Sequence, residues 1–201
     1  MVRYKYIMGI FFACLLFTLF LYPYLPNHIA VHWNQHGEPN EFARKQVVAV
    51  FIPCLIIFFH GLMYMISQYV YKFNRDDHFV VMRFKKNVTL FLLFIHMLVL
   101  FISLGTVIPF QIGLIIGISV FLFMISKGFK KSDKKEEEPI KLQKIRLLSQ
   151  RIFQSMACII LISLFLKLEW GFYLLVSVIC CGSISFMFCI LYAYILENYE
   201  T

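Results

Sequence analysis

Six long runs of apolar residues constrain this chain more than any other feature. They fall at about 7 to 25, 47 to 71, 88 to 108, 110 to 126, 152 to 168 and 171 to 196. A helix rises about 1.5 Å per residue, so crossing the hydrocarbon core of a bilayer takes roughly 20 apolar residues. Backbone inside hydrocarbon must hydrogen-bond to itself, which leaves only helices and closed barrels. Barrel strands alternate in polarity over about ten residues, and these runs are too long and too uniformly apolar for that. Hydrophobic residues make up 61% of the chain and charged residues 15%, outside the range of a soluble domain. The sequence therefore predicts an all-α integral membrane protein, a six-transmembrane-helix bundle using nearly the whole chain. Only the first interhelical loop and a central linker are left for chemistry outside the bundle.

Sixteen of the nineteen Lys and Arg residues fall on one side of this topology, and only Arg44, Lys45 and Lys167 on the other. The excess marks the cytoplasmic side, so both termini are expected there and the loop 26–46 outside, in a multi-pass protein of a cell membrane. Tyr22, Tyr24, Trp33 and Trp170 fall near the outer boundary, where amphipathic rings settle. Arg3 and Lys5 before the first run resemble the start of a signal peptide. However, Tyr22-Pro23-Tyr24 stands where a small-residue cleavage site is needed, so the first helix is expected to stay. The net charge of +8 is almost wholly juxtamembrane, where topology and anionic lipid account for it. The bilayer is the expected partner, and nucleic acid is not. All six cysteines lie inside apolar runs, which indicates neither a disulfide framework nor a thiolate metal site.

Four segments follow: residues 1–71 with the first two helices and the loop 26–46, 72–126 with the third and fourth, a basic linker 127–151, and 152–201 with the last two. In the linker, Glu136, Glu137, Glu138 and Pro139 suit a helix start. Ile140, Leu142, Ile145, Leu148 and Ile152 then recur at helical spacing. This predicts an amphipathic helix on the inner leaflet running into the fifth span, acting as a topological anchor or as a dock for a cytoplasmic partner. Small residues recur every four positions at Ser177, Cys181, Ser185, Cys189 and Ala193, and a shorter pair stands at Gly113 and Gly117. Such rows let helix backbones approach closely, within the bundle or across a homodimer seam.

Polar chemistry is scarce. His60 and His96 lie near the middle of the second and third runs, where an imidazole is a functional candidate unless a backbone carbonyl or a hydroxyl of a neighbouring helix satisfies it. The loop holds His28, His32 and His36, three of the six histidines. As a helix it would stack all three on one face. As extended chain it turns Ile29, Val31 and Trp33 one way and His28, Ala30, His32 and Asn34 the other. The β-branched and aromatic residues favour the extended form, and Gln35-His36-Gly37-Glu38-Pro39-Asn40 reads as a turn. The apolar side then rests on the bundle. Three histidines with Glu38 and Glu41 nearby are also a candidate zinc donor set, although the helical HExxH pattern is missing. No cofactor is otherwise implied.

The run Leu25-Pro26-x-x-Ile29-x-x-His32-x-Asn34-x-x-Gly37-x-Pro39-Asn40, followed by Lys45 and by Pro53 within the next span, resembles the signature of a bacterial membrane domain of unknown function. That domain forms the N-terminal half of the Sdp immunity protein family. The resemblance covers roughly residues 10 to 70. It departs at Ala30, where the family has Pro, and at Asn40, where it usually has Asp. The family's later loop, with a Gly-x-Arg-Thr-Pro-Trp-like stretch, has no counterpart in 127–151. The resemblance implies a non-enzymatic protein that protects against a secreted peptide toxin and signals to a cytoplasmic repressor. The loop then offers His32, Trp33, Asn34 and Gly37 as recognition residues, unless they serve as a rigid Pro/Gly turn that caps the bundle. A small permease, relying on His60 and His96, and a membrane metalloenzyme, relying on the loop histidines, are the alternatives.

Overall fold

The computed structural model describes residues 2–73, 75–129 and 140–199. Its elements are α1 (Val2–Leu21), β1 (His28–Trp33), β2 (Pro39–Arg44), α2 (Lys45–Phe73), α3 (Arg75–Ser103), α4 (Phe110–Ser126), α5 (Ile140–Ile162) and α6 (Leu168–Tyr199), with short 3-10 turns after α1, α4 and α5. Five helical stretches are long and apolar enough to cross a membrane: Lys45–Gln68, Met82–Ser103, Phe110–Phe129, Gln143–Phe165 and Leu168–Tyr192. Phe11–Tyr24 is a shorter apolar helix. The chain is thus a multi-pass membrane protein built as a helical bundle. Its helices are joined by one element the label all-α omits, the two-stranded antiparallel sheet β1–β2.

One boundary differs from the hydropathy reading for a local reason. The third apolar run extends to residue 108, but α3 ends at Ser103. Gly105 takes φ +91°, its N–H donates to Ile102 O (2.9 Å), and Thr106 N–H reaches back to Phe101 O (3.3 Å). This paired closure needs a left-handed residue, which glycine supplies without strain. The amphipathic stretch after Ile140 and the fifth apolar run form the single helix α5. The basic run Lys130 to Lys135, the three glutamates and Pro139 lie outside the described residues.

The chain forms two compact units, Met1–Gly117 and Ile118–Thr201. In the first, Phe11 of α1, Ile56 of α2 and Leu93 of α3 make one buried cluster. Leu25, Ile29, Val48 and Leu100 make a second where the strands meet the helices. The start of α4 approaches α3 through the two predicted glycines. A Cβ on Gly113 would stand 2.6 Å from Leu98 Cδ1, and one on Gly117 would overlap the Phe94 ring.

In the second unit α5 packs on α6, with Phe129, Phe153 and Phe186 in an aromatic cluster at centroid separations of 5.0 to 5.7 Å. Gly182, beside the predicted small-residue row, makes the close approach, its absent Cβ replaced by Met156 Sδ. Within the row Cys189 is buried, whereas Ser177, Cys181 and Ser185 are exposed. Four residues turn a helix by about 400°, so such a row drifts about 40° per step. Cys189 therefore faces different surroundings from Ser177.

Candidate functional site

The residues between α1 and α2 form a hairpin because the chain supplies both strand formers and a turn. Ile29, Val31 and Trp33 suit extended backbone. Reversal occurs over Asn34-Gln35-His36-Gly37. Gly37 N–H donates to Asn34 O (3.0 Å) and Asn34 N–H to Glu38 O (2.9 Å). Gly37 takes φ +85°, which fits a three-residue hairpin loop ending in a left-handed residue. The Asn34 side chain organises the turn from inside. Its Oδ1 accepts from His36 N–H (2.9 Å) and Glu38 N–H (3.0 Å), while Nδ2 donates to Glu38 Oε2 (3.0 Å).

The extended reading of the loop holds, with two corrections. Pro39 and Asn40 belong to β2 and not to the turn. The alternation of β1 also breaks at Val31. Ala30 pairs with Phe42, His32 with Glu41 and Trp33 with Pro39, so Val31 is passed over on one strand and Asn40 on the other. A bulge re-aims the side chain it displaces. Val31 is 45% exposed, while Ile29, expected on the same face, is 1% exposed.

Four helix ends hold the hairpin. Ile29 and its cross-strand partner Ala43 pack against Leu25 after α1, Val48 of α2 and Leu100 of α3. Trp33 stacks on Phe110 at the start of α4, with centroids 3.8 Å apart and planes 8° from parallel. Gln111 Nε2 donates to Asn34 O (2.9 Å). This fixes the amide orientation and leaves Oε1 buried without a partner among the described residues. At the base, Lys45 N–H donates to Asn27 O (3.0 Å). The Lys45 ammonium reaches Leu25 O (3.2 Å) and Tyr22 O (3.5 Å) and lies 4.9 Å from the Tyr22 ring centroid. It thereby caps carbonyls at the end of the first helical segment, where a cation is favoured.

The proposed recognition residues thus divide by task. Trp33 docks the hairpin, Asn34 organises its turn and Gly37 provides the left-handed backbone. His32 is exposed, and its Nδ1–H donates to Asn40 Oδ1 (2.6 Å), an oxygen with no proton to give. The three loop histidines do not converge. His28 and His32 are four residues apart on a strand rising about 3.3 Å per residue, which spaces them by about 13 Å. His36 lies in the turn, within reach of Gln35 Nε2 (3.3 Å). Among the described residues no three His, Cys, Asp or Glu side chains gather to hold a metal ion.

The intramembrane histidines have separate partners. His60 Nδ1 bonds Ile56 O in its own helix (3.0 Å). His96, 2% exposed, lies with Nε2 2.9 Å from Thr18 Oγ1. Thr18 gives its one proton to Cys14 O (2.8 Å), so His96 Nε2 is the donor. Its Nδ1 is buried with no partner among the described residues.

Sequence reasoning overlooked Gln111, Phe110, Thr18 and Phe42. The first three act on residues 77 or 78 positions away, and no local pattern announces such pairs. Phe42 was legible as an apolar side chain between Glu41 and Arg44.

Residues 9–57, which span most of α1, the hairpin and the first part of α2, match the family described as Domain of unknown function (DUF1648). The chain is 29% identical over 126 residues to "Immunity protein SdpI" of Bacillus subtilis (strain 168), a match covering 62% of this chain and 58% of that protein. No solved structure matches. Most of the first helix, the hairpin and the first part of the next helix therefore match a domain of unknown function, in a chain similar over part of its length to an immunity protein.

Proposed function

We propose that the protein is a non-enzymatic membrane protein of the immunity type, protecting its cell against a secreted, membrane-active peptide. In this reading six helices cross the membrane. The first is α1, whose 20 residues reach about 30 Å at 1.5 Å per residue. Both termini and the basic linker 127–151 lie inside, in keeping with the placement of the cations, and the hairpin lies outside. The linker is where a cytoplasmic repressor would be held.

The observation that carries the reading is the hairpin itself, in a chain similar to an immunity protein. A segment this short, fixed to four helix ends by Ile29, Trp33, Gln111 and Lys45, is a preorganised surface rather than a slack connection. Preorganisation lowers the entropy lost on binding. Of the predicted recognition residues, His32 presents its side chain outward, and Trp33, Asn34 and Gly37 hold the frame that presents it.

The test is survival. A sensitive Gram-positive strain is made to express the protein and challenged with secreted peptide fractions of several bacilli, B. subtilis strain 168 among them. Expressing cells are expected to tolerate at least a tenfold higher dose than cells with empty vector. No gain against any fraction would refute the reading.

A further inference from the structure

We infer that the peptide is held on the face of the hairpin turned away from the helices, with Phe42 as its anchor and Val31 and His32 beside it. This rests on the immunity reading and names the surface and the chemistry of its occupant, an amphipathic peptide lying in the outer membrane interface.

Strand geometry places the anchor. Ile29 and Ala43 form a cross-strand pair in the buried cluster, and the next pair is Ala30 with Phe42. Successive side chains on a strand point to opposite faces, so Phe42 projects away from the cluster. It is 57% exposed, and Val31, displaced by the bulge, is also exposed. Of the remaining apolar side chains, Ile29 and Ala43 are engaged below and Trp33 on Phe110, while Ala30 is half-buried. A phenylalanine left uncovered on a rigid surface, where Val31 is the other exposed large apolar side chain, is a ready hot spot.

The same surface selects among occupants. β2 begins with Pro39, which has no N–H to offer, and carries Glu41 and Arg44. These are the devices that discourage an added strand, so the partner is gripped by side chains and not by backbone pairing. Two exposed large apolar side chains, Phe42 and Val31, are a small apolar core for the roughly 800 Å² per partner of a stable protein interface. A second copy of this chain is therefore a poor fit, and one or two anchor residues of a short peptide are a good one. Ile29 packs on Leu100, three residues before the end of the apolar stretch at Ser103. The hairpin thus lies at the membrane–water boundary, where an amphipathic helix rests with its apolar face about 5–10 Å into the headgroup region.

The experiment uses the full chain in cells exposed to the peptide fraction against which it protects. Benzoylphenylalanine replaces Phe42 in one set and Phe51, a 60% exposed residue inside the α2 span, in another. Irradiation is expected to give an adduct of peptide mass at position 42 and none at position 51. Phe42→Ser is expected to lower the tolerated dose at least tenfold, and Phe42→Trp to restore it. Equal labelling at both positions, or full protection by Phe42→Ser, would overturn the inference while leaving immunity standing. If the unaltered protein gives no protection, the immunity reading itself fails. Should Phe42→Ser disturb the hairpin, seen as lost amide protection over residues 28–44, the cross-linking result decides.

Discussion

Replacing Asn34 with alanine removes three side-chain hydrogen bonds at once, to His36 N–H, Glu38 N–H and Glu38 Oε2. Each is solvent-exposed, so each belongs at the low end of the usual 0.5–1.5 kcal/mol, and the turn should lose about 2 kcal/mol against opening. That is about a 30-fold increase in the open population, since 1.4 kcal/mol is a factor of ten. Asn34→Asp keeps an acceptor for the two amides but replaces the Nδ2 donor with an oxygen facing the Glu38 carboxylate. It should fall between wild type and alanine. The assay is amide hydrogen exchange on the purified protein in nanodiscs, read over residues 28–44. The reference is α3 near Leu100, whose protection should not change. Hairpin protection within twofold of wild type in Asn34→Ala would refute the view that this side chain organises the turn.

Ile29→Ala, which empties a fully buried site between Leu25, Val48 and Leu100, should cost about 2–5 kcal/mol and undock the hairpin, seen as loss of the near-ultraviolet dichroism of the Trp33–Phe110 stack. Lys45→Met should cost about 2–3 kcal/mol through loss of the charge-assisted bonds to Leu25 O and Tyr22 O, measured as a lower thermal midpoint in detergent, with Lys45→Arg intermediate. Gly117→Ala places a methyl against the Phe94 ring and should cost about 1–3 kcal/mol. Combining it with Phe94→Ala should give less than the sum of the two losses, because the collision is then absent.

The helices were legible because their signal is local: runs of apolar residues long enough to span hydrocarbon, the third and fourth parted at Pro109. The hairpin was legible in part for the same reason, since Ile29, Val31, Trp33 and Gly37 declare extended chain and a turn within a few residues. The bulge at Val31 was not, because it depends on how β2 lines up with β1. Nor was the true role of Asn34. From sequence it read as a polar residue on a solvent-facing side, whereas its side-chain oxygen is committed to two backbone amides and its carbonyl to Gln111. The partners of His96 lay beyond reach as well, since Thr18 stands in another helix 78 residues away.

β2 ends at Arg44 and α2 begins at Lys45, with no residue between them. The junction therefore has a fixed length as well as a fixed composition. One inserted residue would rotate α2 by about 100° relative to the hairpin. Either Val48 would be carried out of the cluster it shares with Ile29 and Leu100, or the Lys45 ammonium would leave the carbonyls it caps. The number of residues in the hairpin is thus as constrained as their identity. The segment works as a gauge that sets how the second helix is rotated where it leaves the membrane surface.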